Sequence, residues 1–171
     1  NLSAELVYTN VLNCIDLAGV PVRAADRADD APLIGAGGHC AYNPEPLADF
    51  VDFFVMGDGE EVIGDITDVV GAWRRAGKRP GTRETVLREL SKVAGVYVPA
   101  MYSVSYDGQR LVAVEPRYPD VPAVVQKRTV ADLGAWPYPR TPLVPLTEVV
   151  HDRLQVEVFR GCTRGCRFCQ A

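Results

Sequence analysis

No apolar run in this chain approaches the roughly 20 residues needed to span a bilayer, which excludes an ordinary membrane helix. The net charge is only −4 over 171 residues. No long block of like charge occurs, so neither an acidic tail nor a basic nucleic-acid-binding face is indicated. Internal repeats and low-complexity tracts are absent. No signal peptide is visible, and the chain opens at Asn1 rather than at a methionine. Cysteine is scarce, with five in all. Three of the five are tightly spaced, which fits a reducing, cytoplasmic setting with a metal site better than a disulfide framework. Cys14 and Cys40 stand alone and are expected as small buried residues.

What is present is concentrated near the end. The run Arg160-Gly161-Cys162-Thr163-Arg164-Gly165-Cys166-Arg167-Phe168-Cys169 spaces its sulfurs as Cys-x3-Cys-x2-Cys. Three such thiolates can hold one metal centre, and three is one short of a full set for a four-iron cluster. Gly161 and Gly165 allow the loop to wrap tightly. Arg160, Arg164 and Arg167 place positive charge beside the sulfurs, which favours the thiolate that ligates metal. Zinc in a structural site takes four ligands. No cysteine or histidine follows Cys169, so zinc would have to recruit His151 from upstream. Leu154 to Phe159 alternates apolar and polar residues and predicts a half-buried strand leading into the loop.

The rest of the chain alternates helix and strand signals. Residues 4–18 place Leu6, Val7, Val11, Leu12 and Ile15 at helical spacing, with Gly19 and Pro21 as the stop. Pro32 to Ala36 predicts a buried strand ending at Gly37-Gly38. Pro44 to Val51 predicts a short helix, and Asp52 to Met56 a second strand ending at Gly57-Asp58-Gly59. Helices follow over 60–76 and 82–93, the latter capped by Thr82. This order predicts an α/β fold with a parallel sheet. Val96–Tyr106 and Gln109–Val114 then predict two strands joined at Asp107-Gly108, a strong hairpin signal. Prolines 116, 119, 122, 137, 139, 142 and 145 make the next stretch an extended connector, with Trp136 and Tyr138 as anchors. In open parallel sheets ligands bind beyond the carboxyl ends of strands. Gly37, Gly38, Gly57 and Gly59 stand at such ends, as candidate contacts for a corrin or a nucleotide or as plain turns.

The cysteine run resembles the signature of radical S-adenosylmethionine enzymes. The resemblance implies that Cys162, Cys166 and Cys169 hold three irons of a [4Fe–4S] cluster and that S-adenosylmethionine chelates the fourth. It places Phe168 near the S-adenosylmethionine, and the loop after the first strand of a (β/α) barrel. It further implies an electron donor of the flavodoxin or ferredoxin type and a small-molecule substrate.

The segments Gly37–Asp49 and Val55–Glu61 are similar to the cobalamin-binding-like domain that precedes the barrel in many such proteins. That implies a flavodoxin- or Rossmann-like sheet over 1–95, a hairpin and Pro-rich linker over 96–150, and the start of a truncated barrel over 151–171. Cobalamin itself stays open. The Asp-x-His-x-x-Gly motif that coordinates cobalt is absent, and His39 lacks its partners. Gly59-Glu60-Glu61 is assigned to opening a helix rather than to the glycine-rich acidic strand of a barrel, because it lies far upstream of the cysteines. A barrel needs roughly 200 residues, so the chain is expected to be an internal fragment without activity of its own. A cofactor-binding module is the competing reading.

Overall fold

The computed structural model describes residues 1–77, 81–137, 148 and 156–167. The described chain divides into two units, Asn1–Thr129 and Val130–Ala171. The first contains α1 (Tyr8–Leu17), β1 (Gly35–Gly37), β2 (Phe53–Val55), α2 (Gly59–Arg75), α3 (Thr82–Leu90), β3 (Val96–Tyr97), β4 (Tyr102–Asp107) and β5 (Arg110–Pro116).

Helix α2 shows how sequence becomes packing. Val62, Ile66 and Trp73 recur on one face and are buried. Glu60 and Glu61 sit in its first turn and Arg74 and Arg75 in its last, matching the helix dipole. Val86, Leu87 and Leu90 of α3 join the same core. Phe54, Val62, Leu90 and Val96 are fully buried there, each worth about 1.5–3 kcal/mol relative to exposure. Trp73 donates its indole N–H to Thr82 Oγ1 at 2.9 Å, tying the end of α2 to the start of α3.

The main sheet has the order β1-β2-β3. Strands β1 and β2 are parallel, with Ala36 opposite Phe54. Strand β3 is antiparallel to β2, with Val96 opposite Val55. The sheet is therefore mixed: of the expected all-parallel arrangement, only the parallel pairing of β1 with β2 is found among the described strands. The reason is topological. Two helices, α2 and α3, lie between β2 and β3, and the pair reverses the chain before it enters β3.

Other expectations also shift. The long strand expected over Val96–Tyr106 is broken by a 3-10 turn at Pro99–Met101. Its first half joins the main sheet and its second half, β4, pairs with β5 around Gly108. The helix expected over Pro44–Val51 shortens to a 3-10 turn, Glu45–Leu47. Gly81, not Thr82, is the residue before α3. Leu6 and Cys14 are exposed, because the 3-10 turn that precedes α1 rotates Leu6 off its apolar face and Cys14 lies off it too.

Beneath the sheet a carboxylate lies between two guanidiniums. The side chains of Arg27 and Asp52 are 0% and 2% exposed, and Arg83 is also buried. Asp52 Oδ2 accepts from Arg27 at 2.8 Å and from the Ile34 N–H at 2.7 Å, while Oδ1 accepts from Arg83 at 2.9 Å. The guanidiniums also donate to the carbonyls of Pro21, Val22, Phe50, Ala31 and Pro32.

Residues 117–128 form a strap across this unit. Val121 is buried in the core, and Tyr102 donates to the Pro122 carbonyl at 2.8 Å. Asp120 is gripped by Arg88, whose Nε lies 3.0 Å away, and by Lys92 at 3.1 Å. The strap ends where Arg128 bridges Gly57 beside β2. In the second unit, residues 156–167 are exposed and without regular structure. The alternation in Leu154–Phe159 thus yields no half-buried strand over its described part. Among the described residues no second strand pairs with it, and Val156, Val158 and Phe159 stay exposed.

Two outcomes follow from these contacts. Asp52→Asn is expected to leave two buried guanidiniums facing a neutral group and to cost about 3–5 kcal/mol, read as a lower urea midpoint with unchanged slope. Hydrogen bonds from Arg88, and then from Lys92, hold the Asp120 carboxyl down to about 2. A depressed carboxylate stabilises above its unfolded value of roughly 3.9. The stability gap between wild type and Asp120→Asn should therefore hold from neutral pH down to roughly 4 and close as pH falls on through about 2.

Candidate functional site

The cysteine loop is built on two glycines. Gly161 and Gly165 have φ of 85° and 65°, a left-handed backbone that other residues adopt only under strain. Nothing lies within 4 Å of where a Cβ would stand at either. Between them Cys162 is free and exposed, as is Cys166 just beyond. The Arg164 N–H donates to Cys162 Sγ at 3.4 Å. Backbone donors of this kind orient cysteine ligands and tune the sulfur. Arg160 pairs with Glu157 at 2.8 Å, so part of its charge is neutralised before it reaches the sulfurs. Arg164 and Arg167 are exposed.

Phe168 and Cys169 lie outside the described residues, as do His151 and Tyr138. Among the described residues no group of three Cys, His, Asp or Glu side chains stands together as a metal site. The donor set that is described nevertheless fits an iron–sulfur centre. It offers two unpaired thiols on one open loop, with a main-chain donor already aimed at one of them.

The four glycines of the N-terminal unit fare differently. A Cβ at Gly38 would meet the side chain of Asn1 and, at 2.8 Å, the carbonyl of Leu2. Gly57 has a φ of 101°, and a Cβ there would strike the backbone of Arg128, 2.7 Å from its nitrogen. Both approaches are made by the chain itself, at Gly57 by backbone alone. Gly37 makes an ordinary contact with Val55, and Gly59 faces open space at the start of α2.

Arg128 completes the closure at the carboxyl end of β2. Its N–H donates to Met56 O at 2.9 Å, and its carbonyl accepts from Asp58 N at 3.0 Å. Its guanidinium pairs with Glu61 at 3.1 Å and Asp65 at 3.0 Å on α2. His39, as expected, lies on an exposed turn. Tyr97 donates to Glu45 Oε1 at 2.7 Å. Burial, and then that bond, push its phenol far above the ordinary range, so it is a neutral donor and not a base.

Sequence reasoning missed the Arg27–Asp52–Arg83 group. Its one visible trace is a lone carboxylate heading the apolar run Asp52-Phe53-Phe54-Val55-Met56. No helix among the described residues is long and apolar enough to cross a membrane.

Neither the curated proteins nor the solved structures give a match to this chain. Residues 1–99, more than half of it, match the family model described as radical SAM proteins, N-terminal. With that match ahead of the cysteine loop, the chain belongs to the radical SAM proteins and carries their N-terminal region.

Proposed function

We infer that this chain serves a radical S-adenosylmethionine enzyme, with Cys162, Cys166 and Cys169 each ligating one iron of a [4Fe–4S] cluster. The observation that carries the reading is the Cys-x3-Cys-x2-Cys run downstream of a family-matched N-terminal region. When bound, the cluster and S-adenosylmethionine supply reductive cleavage of the sulfonium C–S bond and a 5′-deoxyadenosyl radical. The chain's own residues hold and orient. Gly161 and Gly165 bend the loop so that both described thiols are presented on it. The Arg164 N–H fixes the Cys162 sulfur. Arg164 and Arg167 provide positive charge for an anionic cluster. Phe168 is assigned to the side of the S-adenosylmethionine, and reducing electrons to a flavodoxin- or ferredoxin-type donor in the cytoplasm.

Cobalamin fits these residues poorly. The carboxyl end of β2, where an open α/β sheet receives its ligand, is filled by Arg128, and Gly38 is covered by Asn1 and Leu2. The N-terminal unit is therefore assigned no corrin step.

Anaerobic reconstitution with iron and sulfide tests the reading. The protein is expected to bind about four irons per chain and to show a reduced-cluster paramagnetic signal that changes when S-adenosylmethionine is added. A Cys162→Ala/Cys166→Ala/Cys169→Ala variant should lose both. Retention of iron by that variant, or zinc in place of iron in the wild type, would overturn the assignment.

A further inference from the structure

The opposite end of β2 is open. A cleft of about 790 Å³ lies there, with Val51 and Asp52 on its lining. Its size is within the range of small-molecule sites. At its floor is Arg83, its side chain 8% exposed, with Asp52 and the fully enclosed Arg27 behind it. The three groups sum to one excess positive charge out of water. Backbone carbonyls disperse it but do not cancel it, and an excess buried charge is costly until an anion comes near.

The rim adds a second cation. Arg117 is exposed and pairs with no described carboxylate; its backbone is fixed by a bond from its N–H to Met101 O at 2.8 Å. Arg23 also lines the cleft, but it is neutralised by Asp49 at 2.9 Å. Two carboxylates oppose these cations. Asp29 uses one oxygen to accept the Gly81 N–H, and Glu84 uses one to accept the Tyr118 hydroxyl. The second oxygen of each meets no described donor. Leu87, Pro99 and Met101 form an apolar wall alongside.

A bare anion would answer Arg117 and the floor but leave Asp29 and Glu84 repelling it. A bare cation would meet the reverse problem. We propose that this cleft binds a small zwitterion with an apolar body, an amino acid or a dipeptide. Its carboxylate lies toward Arg117 and the guanidinium floor, its ammonium toward Asp29 and Glu84, and its side chain against Leu87 and Met101.

Titration calorimetry on the whole chain tests this with the dipeptide Leu-Leu. Its N-acetylated form lacks the ammonium, and its C-terminal amide lacks the carboxylate. Leu-Leu is expected to bind, and each blocked form to bind about tenfold more weakly or worse, the factor for one lost charge-assisted hydrogen bond. Arg117→Ala and Arg117→Gln, at an exposed side chain, should keep the wild-type unfolding midpoint and lose the same factor. Arg110→Ala, an exposed charge on β5, should bind as wild type does. The proposal is wrong if Leu-Leu does not bind, if either blocked form binds as tightly as Leu-Leu, or if Arg110→Ala weakens binding as much as Arg117→Ala.

Discussion

A single carboxylate, Asp52, sets the geometry of the N-terminal unit. Its partners come from three places: the loop before β1, the residue that leads into β1, and the first turn of α3. Those segments lie far apart in sequence and would otherwise be held by short strands alone. Three-residue strands offer few ladder bonds, and sheets this small are marginal without further packing. A buried charge network is weak evidence for stability in itself, since well-packed apolar groups often do as well. What it supplies here is register. With both oxygens engaged, β2 has one starting point, and every residue after it, including Gly57, inherits its position.

The strap follows from that position. Because Gly57 lacks a side chain and holds a left-handed backbone, the Arg128 main chain can lie directly against it. Arg128 then reaches α2 through two carboxylates. The place where an open α/β sheet receives its ligand is thus occupied by the protein itself. The sheet end that stays open is the one beside Asp52.

Much of this was legible in the sequence, and the gaps have physical causes. The helix expected over 60–76 and the Asp107-Gly108 hairpin rest on local signals, and both appear where they were read. Two helices between β2 and β3 were legible too, and they dictate the antiparallel return that a simple helix–strand alternation hides. Pro99 marks the break in the long strand expected over Val96–Tyr106, since it cannot donate to a ladder. The Asp52 network was hidden because its partners are 25 and 31 residues away, and nothing local distinguishes a buried arginine from a solvated one. In the cysteine loop, the left-handed backbone at Gly161 and Gly165 was legible from residue type. Over its described part, residues 156–159, the strand expected before that loop does not form, because alternation gives a strand only when a neighbour covers one face.

The anchoring of the strap makes its length a matter of register. Tyr118, Asp120, Val121, Pro122 and Arg128 each meet a fixed partner on the body of the unit, so the backbone between them has no slack to absorb an extra residue. An insertion or deletion there would push every later anchor out of step, whereas one placed past Thr129 would leave all of them undisturbed. Among diverging copies of this chain, gaps should therefore avoid the dozen residues before Thr129.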